Sequence, residues 1–228
     1  MDSTKLLKEY AAGARSFVGV NLIGVCLSRA NLREINLQSA NLIGANLSGA
    51  DLSRANLSKA NLIGANLSAA NLIGADLSNA DLIGANLGGA KLANANLQAI
   101  ALNGGNMSGA NLGGANLSQA SLKGANFSGA FLNAIFTEAN LRNANLSSTS
   151  LVKADLSGAN LQGANLVGAN LSQANLYEAI LVEANLSSAN LTGANLTLAN
   201  LDKANLNRES LSEVKLESLV TDTPPRPS

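Results

Sequence analysis

The chain of 228 residues carries 15 basic and 15 acidic side chains, so its formal net charge is zero and its overall balance does not favour a strongly charged partner. Charged residues make up 13% and aromatic residues 3% of the chain, against about 25% charged in ordinary soluble domains, so a conventional mixed core is not expected. His is absent, which excludes catalytic triads and metal sites built on imidazole, and a single Cys26 excludes an intramolecular disulfide or a CxxC site.

The composition also bears on location. The opening residues, MDSTKLLKEY, lack an apolar signal core, and no run approaches the roughly 20 apolar residues of a membrane span. One unpaired cysteine is typical of a reducing compartment. We therefore expect a soluble, cytoplasmic protein that does not enter a membrane.

Residues 1–16 are predicted to form an N-terminal cap. The stretch STKLLKEYAAG reads as a short helix, with Ser3 or Thr4 as N-cap and Gly13 just past the C-terminus. The apolar side chains expected to cover the start of the following segment are Leu6, Leu7 and Tyr10.

Pentapeptide repeats fill the next two hundred residues. An apolar residue recurs at every fifth position from Phe17 to Leu132, which gives 24 units, and again from Phe136 to Leu216, which gives 17 more. The motif A(N/D)LXX is plain in ANLIG, ANLSG and ADLSR. A period of 5.0 drifts around the 3.6-residue helical turn, which excludes a coiled coil or an amphipathic helix. Alternation instead places Ala and Leu inward and Asn outward, and the two Ser- and Gly-rich residues after Leu turn the chain.

A slower period of twenty residues predicts the number of sides. Glycines recur at this spacing at positions 24, 44, 64, 84, 104 and 124, and isoleucines precede the first four of them. Serines recur likewise at 28, 48, 68, 108 and 128. Twenty residues are four pentapeptides, so equivalent positions are expected to stack coil over coil on a four-sided tube.

The register changes once, in GAFLNAIFTEAN, because Leu132 and Phe136 are four residues apart. Two explanations stay open: a corner shortened at Asn133, which we favour, or a four-residue bulge over 130–133. The choice decides which side each later residue occupies.

The repeats resemble those of pentapeptide-repeat proteins, most closely the cyanobacterial members, over residues 17–216. The resemblance implies an all-β fold, a right-handed quadrilateral parallel β-helix, here a solenoid of about ten coils capped by the short N-terminal helix. At roughly 4.8 Å between stacked coils, the rod would be about 45 to 50 Å long. Residues 217–228 are rich in proline and polar residues and are predicted to form a disordered tail.

The candidate protein-binding residues are Ile23, Ile43, Ile63 and Ile83. They occupy the outward position after Leu on four successive coils, and such a stripe is about 14 Å long. An apolar strip on a charge-poor surface is typical of a partner site, although stacked β-branched residues also stabilise a ladder on their own. Both explanations stay open at this point.

Other candidate sites have simpler explanations. Asp51, Asp76, Asp81 and Asp155 stand where most repeats have Asn, so we interpret them as substitutes for Asn and not as metal ligands. Cys26 occupies the same repeat position and is interpreted as a passive substitution. No nucleophile paired with a base, phosphate loop or ligand cluster is found, so neither an enzyme nor a cofactor or metal is predicted.

These observations favour a non-enzymatic scaffold that acts by protein–protein interaction. We expect its role to be regulatory and its partner to be another, unidentified protein. Nucleic acid and membrane are not expected as partners, and the rod is expected to be a monomer or an end-to-end dimer. One branch of the resembled family mimics DNA and binds DNA gyrase, but mimicry of phosphate charge conflicts with a net charge of zero. A purely structural rod is the remaining alternative.

Overall fold

A computed structural model describes residues 1–206 and Val214, and in these residues one short helix precedes a long ladder of coils. The helix α1 spans Ser3–Ala11. From Ser16 to Asn205, parallel β-bridges link coils along the rod, and before the register change each pairs a residue with the one twenty positions later. Within the described residues these bridges are isolated and do not extend into strands, because each side is extended over only about three residues before the next corner.

One pentapeptide shows why the motif closes into a coil. The N–H of Leu42 donates to the carbonyl of Asn61 in the next coil at 2.7 Å, and the N–H of Asn41 donates to the carbonyl of Val20 in the previous coil at 2.9 Å. The N–H of Ala45 then donates to the carbonyl of Leu42 at 3.0 Å, which closes the turn. Gly44, the third turn residue, has a φ of +62°, as a type II turn requires. This backbone need explains the glycines in the second position after Leu.

The core is a single column of inward Leu and Ala side chains that runs the length of the described coils. Two aromatic residues, Phe127 and Phe136, are part of this core near the register change. Their rings pack edge to face, with 6.3 Å between the ring centroids. Because neighbouring coils share this column, the burial that stabilises one coil depends on the coils above and below it.

Four sides follow from the bridges. We number them by their first coil: side 1 begins at residues 16–18, side 2 at 21–23, side 3 at 26–28 and side 4 at 31–33. Sides 2 and 4 lie opposite each other, as do sides 1 and 3. The twenty-residue period of the sequence is therefore the stacking period of the structure.

The register change is a corner with one residue. Ala134 keeps the buried inward position, and Asn133 alone separates it from Leu132. Bridges across this corner span nineteen residues, as in Asn116 to Ile135. Each side therefore continues past the corner, and its later residues have numbers one lower than an unbroken twenty-residue period would give, as in Asn140 after Ser121 on side 2.

The helix α1 begins at Ser3, one residue earlier than an N-cap at Ser3 would place it and two earlier than an N-cap at Thr4 would. Asp2 is the N-cap, and its side chain accepts the N–H of Lys5 at 2.8 Å, so the expectation of Ser3 or Thr4 in this role was wrong. Any of the three residues has a suitable side chain, and Asp2 takes the role because its oxygen reaches the third helical N–H.

The N-terminal segment covers the edge of the first coil. Leu6 is fully buried and Tyr10 packs against the core, whereas Leu7 is exposed. The hydroxyl of Tyr10 donates to the carbonyl of Arg33 at 2.9 Å, and the ammonium group of Met1 donates to the carbonyl of Asn21 at 3.0 Å. In later coils, the equivalent carbonyls accept a backbone N–H from the preceding coil. The cap thus supplies donors that a preceding coil would otherwise provide.

At the other end, Leu206 and Val214 are partly buried against the core. The predicted tail at 217–228 lies outside the described residues. No helix in the described part of the chain has the length and apolar composition needed to cross a bilayer.

Candidate functional site

The outward Asn before each Leu has a structural role on most coils. On side 3, the Oδ1 of Asn106 accepts the N–H of Ser108 at 3.0 Å, and its Nδ2 donates to Oδ1 of Asn86 at 2.9 Å. Asn126 donates in turn to Oδ1 of Asn106 at 3.3 Å. The first bond is an Asx turn that fixes the corner, and the others form an amide ladder between coils.

Side 3 shows this ladder in its most complete form. Its ladder positions from the second coil onward are Asn46, Asn66, Asn86, Asn106, Asn126, Asn145, Asn165, Asn185 and Asn205. Past Arg29 in the first coil, the described part of side 3 and its following corner carries no charged residue. Because many of its amides bond to one another and to the backbone, side 3 offers few free polar groups to a partner.

Aspartates take the place of Asn in the equivalent ladders of the other sides, as Asp51 does on side 4. The Oδ1 of Asp51 accepts the hydroxyl of Ser53 at 2.7 Å and the Nδ2 of Asn71 at 3.0 Å, and Arg33 lies 3.2 Å from its Oδ2. Burial alone would raise the pKa of Asp51, but the bonds from Ser53 and Arg33 outweigh it, and the pKa falls below its usual value. Among the described residues, no group of three or more Cys, Asp or Glu is placed to hold a metal ion.

The four candidate isoleucines lie in one column on side 2. The N–H groups of Gly24, Gly44 and Gly64 donate to the carbonyls of Ile43, Ile63 and Ile83 at 2.8, 2.9 and 3.0 Å, which fixes one isoleucine per coil. The isoleucines at the ends, Ile23 and Ile83, are 56% and 42% exposed, while the two in the middle are partly buried by their neighbours.

The border of this column is open on one edge. The corner beside it is formed by Gly24, Gly44, Gly64 and Gly84, and a Cβ added at any of them would meet nothing within 4 Å. Side chains therefore do not wall off the isoleucines from this direction. The opposite border is the ladder of Asn21, Asn41, Asn61 and Asp81.

An internal comparison is available on side 4. Ile73 occupies the same repeat position, in the NLIGA context that Ile43 and Ile63 also have, and like Ile83 it is 42% exposed. Its column neighbours are Ser53 and Ala93, so it lies alone. Ile73 and Ile83 thus share repeat position and exposure, and they differ in their stacking and in the ladder residue, which is Asn71 in one and Asp81 in the other.

Sequence reasoning missed an exposed apolar pair at the register change. Phe131 and Ile135 are 61% and 43% exposed and lie on either side of Asn133. Both occupy the ladder position where Asn is usual, and two successive apolar residues there were the signal available in the sequence.

A second missed feature is a displaced ladder amide on side 2. Ala101 takes the Asn position and Asn103 stands two residues later. The Oδ1 of Asn103 accepts the hydroxyl of Ser121 at 2.9 Å and the N–H of Lys123 at 3.0 Å. The amide thus serves the turn of the next coil instead of its own.

Cys26 is exposed, and its Sγ lies 3.6 Å from the hydroxyl of Ser28. Hydrogen bonds from the side chain and backbone of Ser28 lower the pKa of the thiol. Cys26 thus contacts the turn that follows it in the same way as the ladder Asn does in later coils.

Comparison with known proteins gives a consistent result. The family described as pentapeptide repeats matches in eight copies, at residues 16–54, 50–89, 60–98, 106–134, 134–173, 154–193, 169–208 and 179–217. No curated protein matches the chain.

Solved structures with similarity to the chain include HetL, a pentapeptide repeat protein involved in heterocyst differentiation regulation from the cyanobacterium Nostoc sp. strain PCC 7120. It is 38% identical over 90% of this chain and 94% of its own, with a TM-score of 0.40. QnrB1, a plasmid-mediated fluoroquinolone resistance protein, is 22% identical over 88% of this chain and 91% of its own, with a TM-score of 0.67. AT2G44920, a pentapeptide repeat protein from the thylakoid lumen of Arabidopsis thaliana, is 31% identical over 50% of this chain and 72% of its own, with a TM-score of 0.33.

Proposed function

The chain belongs to the pentapeptide-repeat family, and on this premise we propose that it is a non-enzymatic scaffold that binds another protein along side 2. Proteins of this family fold as right-handed quadrilateral β-helices. The proposed rod has about ten coils and is about 45 to 50 Å long. It presents flat sides on which one residue type recurs from coil to coil.

The observation that carries the proposal is the column of four isoleucines, Ile23 to Ile83. Burying apolar surface against a partner removes it from water, which is the main favourable term in most protein association. The column is continuous over four coils, and its glycine border leaves it accessible from the adjacent corner. A contiguous apolar surface with a polar border is typical of a protein interaction site.

Stacking alone accounts for only part of the column. It shields Ile43 and Ile63, but Ile23 and Ile83 remain 56% and 42% exposed. The lone Ile73 shows that an isoleucine at this position needs no neighbour in order to fit the coil. A partner that covers side 2 gives the repeated isoleucine a use that the fold does not demand.

We propose a regulatory role for this binding. HetL, which is 38% identical to the chain, is involved in the regulation of heterocyst differentiation. Our proposal includes a reducing, cytoplasmic setting, which the unpaired Cys26 favours. Mimicry of DNA is disfavoured because the net charge of the chain is zero and side 2 itself carries Lys123 and Arg142.

The test is affinity capture from a lysate of the source organism. The wild type is compared with the double variant Ile43→Asp, Ile63→Asp, and Ile73→Asp on side 4 serves as the matched control. We expect one protein to be retained by the wild type and by the control and to be lost from the double variant. Circular dichroism must show the same fold in all three proteins. Equal retention by the double variant would contradict a site on side 2.

A further inference from the structure

The isoleucine column continues into a different chemistry further along side 2. After Ile83, the same position on the next coils is occupied by Asn103, Lys123 and Arg142. Side 2 thus has an apolar segment followed, two coils later, by a basic segment in the same line.

The two cations are available to a partner. Lys123 and Arg142 are exposed, and neither forms an ion pair within residues 1–206 and Val214. Elsewhere on the described part of the rod, Arg33, Arg54 and Lys203 pair with a carboxylate, whereas Arg29, Lys59, Lys91 and Lys153 form no ion pair. What sets Lys123 and Arg142 apart is their place in line with the isoleucine column.

These cations are also immediate neighbours. The N–H of Gly124 donates to the carbonyl of Arg142 at 2.9 Å, so the two side chains project from adjacent coils at equivalent positions. Like charges directly opposite each other across a ladder are destabilising. An acidic group placed over the pair would relieve this repulsion and would gain two attractive interactions.

The spacing of side 2 fits an α-helix better than an extended segment. Coils repeat about every 4.8 Å, whereas one helical turn rises 5.4 Å and same-face residues of a strand are about 6.6 to 6.8 Å apart. The isoleucine column, about 14 Å long, corresponds to about ten helical residues at 1.5 Å each. Lys123 and Arg142 follow Ile83 at about 10 and 14 Å, or about six and ten helical residues further on.

Charge also sets the direction of such a helix. The carboxylate of Asp81 borders Ile83, so acidic partner groups are disfavoured there and favoured beyond it. The C-terminal end of a helix carries partial negative charge, which cations attract.

Resting on the function proposed above, we propose that the docking element of the partner is an amphipathic α-helix of about twenty residues. Its apolar stripe lies on Ile23, Ile43, Ile63 and Ile83, and acidic side chains near its C-terminus lie over Lys123 and Arg142. The helix runs parallel to the rod, from the capped end toward the later coils.

Synthetic helical peptides test this chemistry directly. The first peptide carries a leucine stripe in its first ten residues and two glutamates on the same face near its C-terminus. The second replaces the two glutamates by lysines. Fluorescence anisotropy measures the binding of both peptides to the full chain, to the double variant Lys123→Glu, Arg142→Glu and to the control Lys91→Glu, Lys153→Glu, which makes the same charge change on side 4.

We expect the wild type to bind the glutamate peptide about tenfold more tightly than the lysine peptide at low salt. The preference should reverse in the side 2 charge variant, persist in the side 4 control and shrink as salt is added. Failure of both peptides to bind, equal binding of the two, or an unchanged preference in the side 2 variant would overturn the helix proposal. Loss of the captured protein from the Ile43→Asp, Ile63→Asp variant would still support the proposed function in that case, so the two failures are distinguishable.

Discussion

Sides 2 and 3 share one backbone and one core but differ in what they offer to solvent. On side 3 the ladder position is Asn in every described coil after the first, and the position after Leu is mostly Ser or Gly. On side 2 the position after Leu is isoleucine on the first four coils and basic at Lys123 and Arg142, and it is occupied by Gln162, Val182 and Asp202 beyond them. The same coil geometry thus supports a uniform surface on one side and a graded surface on its neighbour.

The difference shows which repeat positions the fold constrains. Inward Leu and Ala, the ladder Asn and the positive-φ corner residue each have a defined structural task. The position directly after Leu must supply its backbone groups to the coil, as Ile43 does through its carbonyl, whereas its side chain varies from a Ser that bonds to the ladder, as at Ser53, to an apolar Ile. Side chains that serve binding are therefore most easily accommodated at that position.

The largest expected effect tests whether the two sides share a core. Leu62 lies under side 2 and Leu67 under side 3, and both side chains are fully buried. Each is replaced by Ala in turn. Each substitution should reduce the free energy of unfolding by about 2 to 5 kcal/mol, because it leaves a cavity between packed coils. Urea denaturation measures both, and a loss below about 1 kcal/mol on either side would contradict a common column.

A smaller effect is expected at the ladder of side 3. Asn106→Ala removes the acceptor for the N–H of Ser108 and the bonds to Asn86 and Asn126, so it should cost about 1 to 3 kcal/mol in unfolding free energy. Asn106→Asp keeps the acceptor and is the control. If alanine and aspartate were equally tolerated in urea denaturation, the ladder would not explain the preference for Asn.

The corner residues provide a reciprocal pair of changes. Gly64 on side 2 and Ala69 on side 3 both have positive φ, at +62° and +53°. Gly64→Ala should destabilise the chain and Ala69→Gly should stabilise it, each by about 1 kcal/mol, because only glycine adopts this conformation without strain. Thermal unfolding should show opposite shifts in Tm, and shifts of the same sign would refute this account.

The smallest effect concerns a carboxylate in the ladder of side 4. The pKa of Asp51 is lowered in the folded chain, so its contribution to stability is present above its ordinary pKa and disappears as the pH falls through the folded value. Asp51→Asn should therefore be less stable than wild type at pH 7, and the difference should vanish in strong acid. A difference that does not change between pH 7 and pH 2 would show that the charge of Asp51 is irrelevant.

Much of the fold was predictable because the repeat is both a sequence period and a spatial period. The place of Leu42 and Gly44 in the repeat predicts the side on which they lie, the inward direction of the Leu42 side chain and the role of Gly44 as turn residue, without any tertiary information. The alignment of Ile23 to Ile83 on one side followed from the same twenty-residue spacing. Their partial burial did not, since it depends on contacts between neighbouring side chains.

Other features required the structure. The spacing of Leu132 and Phe136 shows that one residue is missing, but the count alone allows a bulge over 130–133 as well as the favoured corner at Asn133, which the structure contains. The exposed Phe131 and Ile135 were overlooked because they do not recur at the twenty-residue spacing that revealed the isoleucine column. The displaced amide of Asn103 depends on a contact between coils, which a single repeat does not contain.

Photo-crosslinking tests the central claim about side 2 most directly. The photoreactive p-benzoylphenylalanine replaces Ile83 in one protein and Ile73 in another, two sites of equal exposure at the same repeat position on opposite sides. Irradiation in cells of the source organism should give a discrete protein adduct at position 83 and none at position 73. Adducts at both positions, or at position 73 alone, would contradict a binding site on side 2.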